Sequence, residues 1–205
     1  VVNSEIRHIN LPEVDSTNAW LRNNLTQQRH GFVVSTDYQT SGKGQAANKW
    51  ESERAANLLF SLLLEPTKIP VEHQFVLSQL IFISIINTLR EELDMPVTIK
   101  WPNDIYVGDQ KLCGILIENT IMDGQLAKAI VGVGLNVNQQ TFTSDAPNPV
   151  SMYQLRGKTF DCDSLLKKLI THILVDYERF DLNQSSQLQA TYYELLYRNR
   201  GYHRF

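Results

Sequence analysis

The residues Ile99-Lys100-Trp101-Pro102-Asn103-Asp104, followed after Tyr106 and a Gly108-Asp109 turn by Lys111-Leu112-Cys113-Gly114-Ile115-Leu116-Ile117-Glu118, crowd cations, an amide and carboxylates into one short stretch. Such a set can grip anionic groups. Pro102 fixes its own φ and biases Trp101 toward extended geometry, so the chain leaves the strand where Asn103 and Asp104 present their side chains. A second group is Gln39-Thr40-Ser41-Gly42-Lys43-Gly44, running on through Gln45 to Trp50. Its glycines let backbone amides approach phosphate oxygens closely. A third is Asp15-Ser16-Thr17-Asn18, short polar groups that can cap a helix or bind a ligand's donors and acceptors. A fourth is Val131-Gly132-Val133-Gly134-Leu135-Asn136-Val137, where glycines on a strand leave bare backbone for a close neighbour.

The elements that must hold these groups follow from hydrophobic period. Ile6 to Val14 alternates loosely and reads as a strand, and Asp15 or Ser16 then caps a helix carrying Ala19, Trp20 and Leu25. Gly31 to Tyr38 reads as a strand that runs into the polar Gln39 to Lys49 loop. Leu58 to Leu64 is almost continuously apolar, hence a strand covered on both faces. Val71 to Leu93 sets Phe75, Leu80, Ile83, Ile86 and Leu89 at helical spacing toward a core. Pro96 to Ile99 and Ile115 to Ile117 bracket the lysine-rich segment as buried strands. Leu112 to Met122 and Gln125 to Val137, joined by Asp123-Gly124, form a hairpin. Beyond the proline-rich Ser144 to Pro149 loop, Asp163 to Phe180 is an amphipathic helix capped by Asp161 or Asp163, and Leu188 to Tyr197 is a final helix. The expected fold class is α+β: a mixed, largely antiparallel sheet flanked by helices.

Composition narrows the partners. The 205 residues suffice for one sizeable core, and a net charge of −3 argues against a dedicated nucleic-acid binder, which usually carries a basic face. The two cysteines, Cys113 in an apolar strand and Cys162 between aspartates, form no metal cluster and read as reduced thiols of a cytoplasmic protein. The longest apolar run, Phe75 to Leu89, is broken by Ser78, Gln79, Ser84 and Asn87, so no membrane span is expected. Val1 to Asn10 lacks a signal-peptide pattern.

The segment Lys100 to Asp104 resembles the Lys-Trp-Pro-Asn-Asp signature of biotin protein ligases, and Lys111-Leu-Cys-Gly114 is similar to the Lys-Leu-x-Gly that follows it in that family. The other three groups resemble family motifs and occur in the family's order. The resemblance implies the catalytic fold shared with class II aminoacyl-tRNA synthetases, and a ligase that uses ATP and Mg²⁺ to turn biotin into biotinyl-5′-AMP. Biotin then passes to one lysine of the carboxyl carrier domain of a biotin-dependent carboxylase. A carboxylate oxygen is a hopeless leaving group; as a mixed anhydride, AMP leaves instead. Two anions must be held together, so fixed cations are needed.

By position in the motifs, Lys111 resembles the lysine that bridges carboxylate and α-phosphate, and Lys43 stands where the family usually has arginine. Asp104 would orient the incoming lysine ammonium and help it lose a proton. The resemblance assigns Ser16, Thr17, Asn18 and Gln39 to the ureido ring, with Gly42, Lys43, Gly44, Gln45, Lys111 and Gly114 also on the biotin side. It assigns Trp50, Asn103, Lys111, Gly132, Gly134 and Asn136 to the nucleotide, and no residue to the metal. Trp50 is equally readable as a core residue, and Glu118 as a structural one.

Where many members read Gly-Arg-Gly-Arg, this chain has Gly42-Lys43-Gly44-Gln45, losing a bidentate fork and a charge. The expected consequence is a weaker hold on the activated intermediate. Rival readings are a lipoate or octanoate ligase of the same fold, for which apolar lining would replace the urea-matching groups, and a non-catalytic biotin-sensing module, against which Lys43, Lys111 and Asp104 argue. The expected division is a catalytic domain over 1–198 and, from 199 to 205, the start of a carboxy-terminal SH3-like barrel that is missing or truncated. Too few residues precede Ser16 for an amino-terminal DNA-binding module. A homodimer is compatible with the resemblance.

Overall fold

The computed structural model describes residues 6–42, 44, 50–143 and 147–201. Lys43, Gln45 and the rest of the 45–49 segment, part of the Ser144 to Pro149 loop, and Tyr202 to Phe205 therefore lie outside the described residues. Seven strands form one sheet in the order β1-β2-β3-β7-β6-β5-β4. They are β1 (Arg7–Leu11), β2 (Phe32–Thr36), β3 (Leu58–Leu64), β4 (Thr98–Lys100), β5 (Asp104–Val107), β6 (Gln110–Met122) and β7 (Gln125–Leu135). β1 and β2 are parallel; every other neighbouring pair is antiparallel. The helices are α1 (Thr17–Asn23), α2 (Gln74–Leu93), α3 (Met152–Arg156), α4 (Cys162–Arg179) and α5 (Ser185–Glu194).

Alternation along the strands splits the core between the two faces. Val33, Phe60, Leu62, Val131 and Val133 join the large cluster built on α2 and α4, whereas Phe32, Val34, Leu63 and Ile130 pack with Leu21 of α1. β3 is buried at all seven positions because both its faces are covered. The α1 face receives the intervening residues: Ser61 of β3, Gly132 and Gly134 of β7, and Gly114, Leu116 and Glu118 of β6. Period-two geometry makes this assignment all or none, because a slip of one residue would send all of them to the other face.

Of the two candidates for each cap, Ser16 is the cap of α1, its side chain accepting from the Ala19 amide, and Asp161 caps α4 by accepting from the Ser164 amide. Several boundaries differ from expectation. The long helix begins as a 3-10 turn at Val71–His73 and becomes α-helical at Gln74. Phe75 is not a core residue: it is 41% exposed, in edge contact with Tyr192, while Leu80, Ile83, Ile86 and Leu89 are buried as expected. The lysine-rich segment contains an extra strand, β5, between its two turns. α5 ends earlier than expected because Leu195 and Tyr197 leave the helix to hydrogen-bond Ile99 of β4. α3 is a helix the hydrophobic period did not reveal. Its signal is local: a capping box between Ser151 and Gln154, with Gly157 closing it at φ 64°.

Candidate active site

A cleft on the α1 face brings the four motif groups together. Its wall includes Ser16, Thr17 and Asn18 from the start of α1, Gln39 and Gly44 from the loop after β2, and Trp50. The sheet contributes Asn103, Lys111, Gly114, Glu118, Gly132 and Gly134. Residues separated by more than a hundred positions thus meet because β6 and β7 lie side by side in mid-sheet, beneath α1.

At one end neutral polar groups face the cleft, backed by the Arg22–Glu118 ion pair. Gln39 Oε1 accepts from the Thr17 amide at 2.8 Å, which ties the loop to the helix start. Ser61 Oγ lies 2.6 Å from Asn18 Oδ1 and 2.8 Å from Thr17 Oγ1. Asn18 Nδ2 donates to Glu118 Oε2 at 2.8 Å, and Arg22 holds the other Glu118 oxygen at 2.6 Å. All of Ser16, Thr17 and Asn18 are buried.

At the other end sits charge. Lys111 Nζ lies 2.8 Å from Asp104 Oδ1, and both side chains are mostly buried. A bulge makes this pairing possible. The β5–β6 register shifts between Ile105 and Tyr106, so Cys113 pairs with Ile105 but Lys111, not Leu112, pairs with Tyr106. Leu112 and Cys113 both enter the core, and Lys111 returns to the same face as Gly114. Burial pushes the Cys113 thiol far up, reinforced by Asp104 and opposed by Lys111, so it stays a neutral core residue.

The three strand glycines serve protein side chains here. A Cβ on Gly132 would stand 2.2 Å from Asn18 Oδ1; one on Gly114 or Gly134 would stand 2.8 Å or 2.6 Å from the Trp50 ring. The Asn18 amide therefore lies flat on Gly132, and the Trp50 indole covers Gly114 and Gly134, with Lys111 Nζ 5.5 Å from its ring centre. Trp50 is wall rather than core, and its amide donates to Gly42 O at 3.0 Å, closing the base of the loop. With the indole in this place the cavity holds only about 60 Å³. Small-molecule pockets are commonly about 300–1,000 Å³, so a ligand lying on Gly114 and Gly134 requires the indole to move.

Three expected site residues are placed differently from the rest: Asp104 is not in the cleft wall and meets it through Lys111. Asn136 lies under the cleft rather than in its wall, buried, with Nδ2 donating to Val150 O at 3.1 Å. Gly42 is beside the cleft, packed on Gln39 and Trp50. Glu118, Arg22 and Ser61 are the functional-site neighbours that sequence reasoning left out of the binding set.

Residues 11–136 match the biotin/lipoate A/B protein ligase family. The chain belongs to that family. It is 34% identical over 172 residues to the bifunctional ligase/repressor BirA of Salmonella typhimurium, across 83% of this chain and 53% of that protein. With BirA of Bacillus subtilis it shares 31% identity over 179 residues, 85% of this chain and 52% of the relative. The chain thus spans about half the length of these curated relatives. Among solved structures it resembles a biotin protein ligase from Aquifex aeolicus, determined in complex with biotin and ATP, at a TM-score of 0.80 and 29% identity over 93% of this chain and 78% of that one. The sheet-and-helix architecture is that of the biotin ligases of the class II synthetase-like fold. Among the described residues, no helix is long and apolar enough to cross a membrane.

Proposed function

We propose that this chain activates biotin with ATP to biotinyl-5′-AMP, releasing pyrophosphate, and transfers biotin to a lysine of a carboxyl carrier domain. The observation that supports the proposal is that one cleft gathers the amide and hydroxyl groups of Ser16, Thr17, Asn18 and Gln39 at one end and the Lys111–Asp104 pair at the other. The Aquifex relative of the same fold was solved with both biotin and ATP, which supports the same pair of substrates here.

In the first step the biotin carboxylate oxygen attacks the α-phosphorus and pyrophosphate leaves. Lys111 is the residue proposed to hold carboxylate and α-phosphate together, an electrostatic task that a preorganised, partly buried cation does well. Lys43, a second proposed cation, and Gln45 are assigned from sequence position alone. In the second step an acceptor lysine attacks the anhydride carbonyl and AMP leaves. Asp104 then receives the ammonium and its proton, a role open to it because substrate phosphate would draw Lys111 away. Asn103 and Trp50 are proposed to face the nucleotide. Magnesium is proposed to enter bound to the triphosphate; among the described residues, no group of three or more His, Cys, Asp or Glu side chains is placed to hold an ion. Residues 1–198 are the proposed catalytic domain.

The test is incubation with biotin, ATP, Mg²⁺ and a biotin-carrier domain, beside the same mixture with lipoate and a lipoyl domain. Mass gain on the biotin-carrier lysine is expected. Gain on the lipoyl domain alone would move the assignment to the lipoate branch of the family, and pyrophosphate exchange without transfer would restrict it to the activating half-reaction.

A further inference from the structure

Glu118 lines the cleft, yet the proposed chemistry gives it no task. Its position is informative when the hydrogen bonds of Asn18 are counted. The side-chain amide has two protons and two lone pairs on oxygen. One proton goes to Glu118 Oε2 at 2.8 Å and the other points to Leu116 O at 3.4 Å. One lone pair of Oδ1 takes the Ser61 hydroxyl at 2.6 Å. What Asn18 still offers is a single acceptor lone pair. A carboxylate can only accept, so Glu118 forces the NH₂ side of Asn18 toward itself, and Arg22 at 2.6 Å keeps that carboxylate in place. Gln39 is fixed in the opposite sense: its Oε1 is used by the Thr17 amide, leaving Nε2 as a donor.

We infer that Glu118, oriented by Arg22, is a positioning residue for substrate choice: it locks Asn18 as a hydrogen-bond acceptor and so selects a ring that carries N–H at that point. An acceptor from Asn18 and a donor from Gln39, both in the wall of the cleft, complement the N–H and C=O of a cyclic urea. The inference rests on the biotin reading above. As a stabilising contact, the part-exposed Arg22–Glu118 pair is worth little; its use is directional.

Glu118→Gln tests this with almost no change of shape. The glutamine oxygen is drawn to the Arg22 guanidinium, which turns its NH₂ group toward Asn18. Two NH₂ groups cannot face each other, so Asn18 turns over and shows the cleft a donor. The readout is calorimetric affinity for biotin and for the two oxazolidinone analogues in which one or the other ring N–H is replaced by oxygen. For the analogue that the wild-type protein rejects more strongly, selectivity against it should fall about ten- to a hundred-fold in the variant, since one matched hydrogen bond becomes a mismatch. The loss should come from weaker biotin binding, with analogue affinity held or improved. Adding Arg22→Ala to Glu118→Gln frees the glutamine to turn its oxygen back, and should restore part of the selectivity. Equal losses for biotin and analogue, or no loss for either, would overturn the inference while leaving the biotin reading intact. A wild-type protein that fails to bind biotin overturns that reading and this inference together.

Discussion

Alanine at Gly132 separates two uses of a bare strand, room for a ligand and room for the protein's own Asn18. The added Cβ would lie 2.2 Å from Asn18 Oδ1 and 2.8 Å from its Cγ, where ordinary contact begins at 3.4 Å. Restoring van der Waals distance requires the amide to retreat by roughly 1 Å. It has little freedom to do so, being held by Ser61 at 2.6 Å and Glu118 at 2.8 Å. A retreat of that size takes at least one of these bonds past useful geometry. Overpacking of this kind typically costs about 1–3 kcal/mol. Gly132→Ala should therefore lower the urea-unfolding stability by that amount and also weaken biotin binding, because Asn18 no longer meets the ring. The decisive arm is the same substitution in an Asn18→Ala background, where the clash partner is gone and the added methyl should cost close to nothing in stability. Neighbours that share a contact are expected to couple in this way. If Gly132→Ala weakened biotin binding yet left stability untouched, or if its cost persisted unchanged in the Asn18→Ala background, the glycine would be serving the ligand directly and the packing argument would be wrong.

Three further outcomes follow from the same geometry. Lys111→Ala should reduce biotin-dependent pyrophosphate exchange by on the order of a hundred-fold or more, since a preorganised charge at a developing anion is lost; exchange at the wild-type rate would remove Lys111 from the reaction. Biotin with ATP should change the tryptophan emission of the native protein as Trp50 leaves Gly114 and Gly134, and Trp50→Phe should abolish that change while Trp20 and Trp101 still emit; an unchanged signal in the native protein would mean the indole stays in place. Burial holds the His8 and His30 imidazoles below their ordinary pKa of 6.5, against the pull of Asp163 on His8 and of Glu178 and Glu65 on His30. Just below that pH the unfolded chain binds more protons than the folded one, so the stability these histidines contribute is complete above 6.5 and falls as pH drops through their folded values. Urea midpoints at about pH 7.5 and about pH 5.5 should show the fall, and His30→Gln should make it shallower.

What the sequence reveals and hides here has a physical pattern. β3 is legible because a strand covered on both faces must be apolar at every position, and Leu58 to Leu64 nearly is. The Lys111–Asp104 pair is legible from its motif, but the bulge that aims Lys111 is not: Leu112 and Cys113 read as ordinary alternating strand residues, and only the register with β5 shows both turned inward. Glycines show that something approaches the strand closely without showing what. The approach to Gly132 is by Asn18 and to Gly114 and Gly134 by Trp50, contacts fixed by long-range packing. Phe75 shares the helical spacing of the core residues, yet its exposure depends on where α5 docks, which periodicity within α2 does not encode. Glu118 was legible only as a polar residue on a strand; its use depends on Asn18, a hundred positions away.

The strand register gives the cleft its length. Ser61, Gly132 and Leu116 are lateral partners across β3, β7 and β6, and Asn18 rests on this row. Two positions along, Leu59, Gly134, Gly114 and Asp104 form the next row on the same face, and Trp50 and Lys111 gather there. Rows two residues apart in an antiparallel sheet are separated by about 7 Å. On the proposed function, the groups assigned to the ring thus lie one row from the cation assigned to the carboxylate, a spacing suited to a ring and an acid joined by a short aliphatic chain. The α1 face has such a pair of rows because β7 supplies glycine at both of its central positions. Alternation makes the two rows inseparable: any shift of β7 against β6 by one residue would replace both glycines with Val131, Val133 or Leu135, and close the head and the reacting end of the cleft together.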